Sequence, residues 1–325
     1  MAMRTIETST VAAPPSSMWA MVLTGPRRPL QHIHVPVPLL GSNDVLVRVS
    51  ACAVCQLDRL LVDGLLPRAR YPVIPGHAVV GQVVEVGRAV QGFSAGHRVG
   101  MPRLGWACGS CQACRRGLEH LCGLARLMGV TDDGGLAEYV RADHRFCVHL
   151  PSHLSDSALA PLLCEGATAY RALRMLGDAR RVGLYGSATA TRLAADLARL
   201  RGLEASFPQE EHTPPACGLD AALVFSPAKG MVRHALEAVV DGGKVVWVSD
   251  VPGHRASIAV PQLAEERRVH WVAGATRSDL QDLLALAGTS PLEPAVEVFP
   301  MAIAEKALAR LRTGRAAGSV VLASP

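Results

Sequence analysis

Four cysteines packed into one short stretch constrain this chain more than any other feature. CGSCQACRRGLEHLC places Cys108, Cys111, Cys114 and Cys122 at C-x2-C-x2-C-x7-C. Thiolates this close in sequence converge on one tetrahedral ion, and Zn²⁺ is the default for four sulfur donors in a reducing compartment. An iron–sulfur cluster is the alternative, but no proline follows the last cysteine and no second cluster motif is present. Protein fills all four positions, so the site is expected to be closed and structural. It braces a lobe, Gly105 to Gly123, that has little apolar content to bury. The nine cysteines of the chain are grouped rather than spread. That pattern favours metal thiolates over a disulfide framework, and a cytoplasmic location.

The texture of the chain changes near residue 155. Before it, short alternating runs such as DVLVRVSAC and AVVGQVVEVG read as strands, with Gly81 and Gly87 marking bends or close backbone approach. After it, single strands (RVGLY, DAALVF, KVVWVS) alternate with helical patterns, which implies a parallel sheet with helices on its faces. The tail carries a helix, MAIAEKALARLRTG, and a strand, GSVVLAS. The expected division is a polar tail at 1–17, a β domain at 18–154, an α/β domain at 155–294, and a segment at 295–325 that returns to the first domain. The start of the chain has no apolar run long enough for a signal peptide, and no apolar run anywhere reaches membrane-spanning length. Net charge is +5, but the basic residues are scattered. Four Trp, four Tyr and five Phe offer no aromatic interleaving, so nucleic acid is not an expected partner.

Further motifs flank the cysteine cluster. ACAVCQLD and YPVIPGHAVVGQVVEVG precede it, and DDGGLAEYV and APLLCEGATAYRAL follow it. With these the sequence resembles the zinc-containing medium-chain alcohol dehydrogenases, from Trp19 to Leu322. The resemblance implies a GroES-like β-barrel catalytic domain followed by a Rossmann-type doubly wound parallel sheet. It implies two zinc ions per chain, a small-molecule substrate, and a homodimer or homotetramer. It assigns the catalytic zinc to Cys55, His77 and Cys164, with an open fourth position for Lewis-acid chemistry. It gives Asp58 the task of orienting the ligand histidine. Cys52, Cys147 and Cys217 match no ligand position and read as small buried hydrophobes.

The departures from that family pattern fall on the redox machinery. Leu57 stands where the family keeps a hydroxyl residue, and Leu60 where a histidine commonly ends the proton relay. Ala78 replaces the glutamate of the G-H-E signature. Glu165, beside Cys164, is a candidate fourth ligand or acid/base, and equally a solvated carboxylate at a helix start. In the dinucleotide turn the fingerprint positions are Gly186, Ala188 and Thr191, so only the first glycine remains. Ala188 is expected to crowd the diphosphate and Thr191 to disturb strand–helix packing. The span LEASFPQEEHTPPACG is too short, and too rich in proline, for a ribose-binding strand, a helix and a third strand. Glu204, Glu210 and Glu211 are the acids available there, and none ends a convincing strand. The expectation is therefore a truncated Rossmann sheet that binds NAD(P) weakly or not at all. The zinc then serves non-redox chemistry on a carbonyl or hydroxyl compound: elimination, addition, cyclisation or isomerisation. The alternative is an NAD(P)-dependent zinc alcohol dehydrogenase, and the third reading a non-catalytic relative.

Overall fold

Strand Asp44–Val54 is the spine of a seven-stranded sheet, and its sequence shows why. DVLVRVSACAV is apolar at almost every position, as a strand covered on both faces must be. Strand Ala78–Val86 pairs antiparallel along one side of it. Along the other side run Tyr139–Asp143 and Ser319–Ala323, also antiparallel. The path continues outward through Arg98–Met101 and Val148–His149 at one end and Val296–Pro300 at the other. Gly81 lies where the strand Ala78–Val86 presses closest, because a Cβ there would overlap the Arg48 carbonyl. In this computed structural model the residues described are 13–186, 188–207, 218–225, 229–249, 263–314 and 316–324. Most of the N-terminal tail, together with Glu210, Glu211 and Cys217, lies outside them.

A second, wholly parallel sheet has the order Glu204–Ser206, Arg181–Gly186, Leu219–Phe225, Val239–Val248, Arg268–Val272. Helix Ala188–Leu200 follows the first of these strands in sequence, and Lys229–Ala238 links the third and fourth. Apolar side chains of both layers, Leu184, Leu193, Leu197 and Leu223 among them, are buried in one cluster. Together the sheets give the expected mixed fold, a GroES-like β domain and a Rossmann-type domain.

Two features of the second sheet bear on its cofactor end. Residues Glu204–Ser206 form a strand parallel to Arg181–Gly183, and Glu204 opens that strand rather than ending it. It is only three residues long, and among the described residues no strand lies beyond it. Thr191, expected to disturb strand–helix packing, lies in the helix that follows Gly186. It is buried at 5% exposure in a continuous helix, Ala188–Leu200.

A helical run bridges the sheets. Ser155 caps it by accepting a hydrogen bond from the Ala158 N–H, at 3.2 Å. It passes from Asp156–Pro161 through a π turn, Leu162–Gly166, into Ala167–Arg174. Such wide turns cost regular hydrogen bonding and concentrate at functional sites. This one carries Cys164. Among the described residues, no helix is long and apolar enough to cross a membrane.

Candidate metal centres and cofactor cleft

Cys55 stands at the end of the strand Asp44–Val54 and caps the helix Gln56–Val62. Its Sγ accepts from the Leu57 N–H at 3.4 Å, while the Asp58 carboxylate accepts from the Cys55 N–H at 2.9 Å. The two bonds form a capping box in which a thiol replaces the usual hydroxyl. Asp58 has a second task. Its carboxylate lies 3.2 Å from His77 Nδ1 and also accepts from the Gly76 N–H at 3.3 Å. Both Asp58 and His77 are 2% exposed, so the imidazole is locked in orientation with Nε2 turned to the sulfurs. Nε2 lies 3.4 Å from Cys55 Sγ and 3.1 Å from Cys164 Sγ. All three donor atoms fall within 4.8 Å of one another.

Without an ion, Cys55 and His77 hold their protons. The hydrogen bond with Cys164, burial, and the Cys164 charge push the Cys55 thiol well above the ordinary cysteine value. Burial opposes charge on His77, but Asp58 and then Cys55 raise it well above the ordinary histidine value. A divalent ion inverts this logic, since it deprotonates coordinating thiols outright. Two thiolates and one imidazole suit Zn²⁺, and three protein ligands leave one position free. An Asp58→Asn variant should retain its second zinc with roughly 10–100-fold lower affinity. Chelator competition measures this; an unchanged affinity would remove Asp58 from the metal site.

The four-cysteine cluster forms a second donor group, again with every donor within 4.8 Å of the others. Cys108 Sγ lies 3.6 Å from Cys122 Sγ and 3.9 Å from Cys114 Sγ. Backbone N–H groups of Ser110 and Cys111 pull the Cys108 thiol down to about 6, so one thiolate is available at neutral pH. Leu104, Ala107, Ala125 and Phe146 make up a small core around the cluster. The lobe is clasped to the second domain by Arg277, which donates to Glu119 at 2.7 and 3.0 Å and lies 4.8 Å over the Phe146 ring.

Glu165 does not join the Cys55–His77–Cys164 group. Its carboxylate accepts a hydrogen bond from Ser319 Oγ at 2.6 Å, tying the π turn to the strand Ser319–Ala323. Glu165, expected as a fourth ligand or acid/base, is thus held to the strand Ser319–Ala323 and lies outside the three-donor group. Leu57, Leu60 and Ala78 are buried, at 4%, 1% and 0% exposure, so no polar group stands at those positions. Cys52 and Cys147 belong to neither donor group, and burial raises both thiols.

The dinucleotide turn begins at Gly186, in a backbone conformation that favours glycine. Gly186 has φ +122°, and a Cβ on it would overlap the Phe225 carbonyl and lie 2.5 Å from its carbon. Ala188 opens the helix Ala188–Leu200 immediately beyond. The turn sits where strand order reverses, with Glu204–Ser206 on one side of Arg181–Gly186 and Leu219–Phe225 on the other. Ligands of open α/β sheets bind at such switch points, with phosphate at the helix N-terminus. The diphosphate end therefore fits a nicotinamide dinucleotide. At the ribose end the short strand finishes at Ser206, whose hydroxyl turns back to the Val182 carbonyl at 3.5 Å, and no acid ends it.

A cleft connects the two halves. Leu57, Leu104 and His120 line it from the β domain, and Cys164, Thr168 and Thr276 from the helical run and the second domain. It meets the metal group at Cys164. His120 was not singled out from the sequence, where it reads as a spacer between metal ligands. Burial, helped by the Arg171 charge, lowers its pKa to about 4.

Residues 41–152 match the alcohol dehydrogenase GroES-like domain, and residues 211–322 match the zinc-binding dehydrogenase domain. The chain is 36% identical to the probable alcohol dehydrogenase AdhA of Mycobacterium tuberculosis, over 94% of this chain and 96% of that protein. It is 32% identical to an alcohol dehydrogenase of Geobacillus stearothermophilus, over 94% and 99%. Among solved structures, CAD from Helicobacter pylori, complexed with NADP(H), superposes with a TM-score of 0.86 at 20% identity, over 94% of this chain and 98% of that one. The chain thus belongs to the zinc-containing medium-chain alcohol dehydrogenase family.

Proposed function

We propose that the protein is a nicotinamide-dependent zinc alcohol dehydrogenase. One observation carries the reading. The Cys55–His77–Cys164 group opens, through Cys164, into a cleft whose far wall is the loop Gly274–Arg277. That loop follows the carboxyl end of the parallel strand Arg268–Val272, the edge of the sheet where a dinucleotide lies. The names of the relatives support oxidoreduction over elimination, addition, cyclisation or isomerisation, so the non-redox expectation is set aside.

In this reading Cys55, His77 and Cys164 hold a zinc ion, and the Gly186 turn with its helix holds the diphosphate of NAD(H) or NADP(H). When bound, zinc supplies a Lewis acid for an alcohol or carbonyl oxygen, and the nicotinamide supplies or accepts the hydride. The chain does the rest. Asp58 fixes the tautomer of His77 through Nδ1. Leu57, Leu104 and Leu163 dry the cleft, which strengthens electrostatic interactions inside it. They also favour substrates with an apolar body. Cys108, Cys111, Cys114 and Cys122 hold the structural ion.

Calorimetric titration of the zinc-loaded protein with NADH and NADPH tests this. Binding in the micromolar range, about −8 kcal/mol, is expected for at least one cofactor, with alcohol-dependent absorbance change at the reduced nicotinamide band. No binding at millimolar cofactor with both zinc ions present would return the protein to non-redox Lewis-acid chemistry.

A further inference from the structure

We propose that His120 makes a hydrogen bond to a hydroxyl of the substrate remote from the reacting one, so that the cleft selects diols over plain alkanols of the same length. The proposal rests on the dehydrogenase reading above.

His120 sits on the short turn Glu119–Leu121, inside the spacing of the four-cysteine motif. It lines the same cleft as Cys164, Leu57 and Thr168. Its Nδ1 is buried and has no hydrogen-bond partner among the described residues. A buried polar atom without a partner carries a desolvation cost that a ligand can relieve. The turn cannot easily swing away to relieve it. Glu119 is held by Arg277 on one side of His120, and Cys122 belongs to the metal cluster on the other. Leu57, Leu104 and Leu127 offer nothing polar from their stretches of the wall. A hydroxyl suits the site because it both donates and accepts, and so satisfies Nδ1 in either tautomer of the ring. A site built to pair a hydroxyl rejects the analogue lacking it far more strongly than an apolar pocket rejects an added one.

The test compares 1-butanol with the isomeric butanediols in the wild type, His120→Leu and His120→Asn. The wild type is expected to favour at least one butanediol by about tenfold or more in kcat/KM. In His120→Leu that preference collapses toward unity, chiefly through the KM of the diol, and His120→Asn recovers part of it. Zinc content of two per chain in each variant separates this from damage to the cysteine lobe. A wild type without diol preference, or a His120→Leu variant that keeps it, overturns the proposal. So does an effect confined to the KM of the cofactor. If no alcohol is oxidised with either nicotinamide, the dehydrogenase reading itself has failed. The contact is then judged from thermal shift of the zinc protein with butanediol against 1-butanol. Stabilisation by the diol alone, lost in His120→Leu, upholds it, and equal shifts overturn it.

Discussion

A His77→Ala variant is expected to lose alcohol oxidation by at least about 10³-fold while keeping its fold and its structural zinc. The loss follows from geometry. His77 Nε2 is the middle donor of the group, 3.4 Å from Cys55 Sγ and 3.1 Å from Cys164 Sγ. Without it, the buried Cys55 sulfur and the half-buried Cys164 sulfur face each other with no imidazole between them and no reason to stay ionised. Lewis-acid stabilisation of an oxygen is worth several kcal/mol, and each 1.36 kcal/mol is tenfold in rate. Asp58 stays bonded to the Cys55 and Gly76 N–H groups, so the helix cap survives the substitution. Metal analysis should therefore fall from two zinc ions per chain to one, with circular dichroism unchanged. Full zinc content and full activity in the variant would mean that Cys55 and Cys164 are core thiols.

Gly186→Ala should be the most damaging single methyl in the second domain. The backbone at Gly186 has φ +122°, a region that L side chains rarely enter. The added Cβ would overlap the Phe225 carbonyl and lie 2.5 Å from its carbon and 3.0 Å from its Cα. All of these are backbone atoms of the neighbouring strand, so no side chain can step aside. Strain and overpacking together cost about 3 kcal/mol or more. A fall in Tm on the order of 5 °C follows for a protein of this size. Nicotinamide affinity should drop about tenfold or more, because the strands flanking the diphosphate have to separate. Unchanged Tm and unchanged cofactor affinity would show that the turn relaxes freely and holds no diphosphate.

Local features of this fold were legible in the chain, and distant ones were not. The Cys108–Cys122 cluster is visible because its ligands lie within one short stretch and need only a turn to meet. The second donor group joins residues 22 and 87 apart, counted as Cys55 to His77 and His77 to Cys164. No spacing rule reaches that far, and only the family resemblance brought the three together. The surroundings of Glu165 were hidden for the same reason. Ser319, which donates to it, is 154 residues away. The strand Glu204–Ser206 was missed because three residues carry no periodicity. Its stability comes from the ladder to Arg181–Gly183, a tertiary effect.

The position of Ser319–Ala323 has a consequence for how the molecule assembles. This strand pairs with Ala51–Val54, the segment that ends at Cys55. During synthesis the first sheet therefore waits, with one side of its central strand uncovered there, until the whole parallel sheet has emerged. Pairing across so many residues closes a very long loop and is slow. Cys55 thus gains its final neighbours late, after the four-cysteine lobe, whose contacts are local, can already have formed. Assembly of the two donor groups is ordered by topology, with the four-cysteine group first and the Cys55–His77–Cys164 group last.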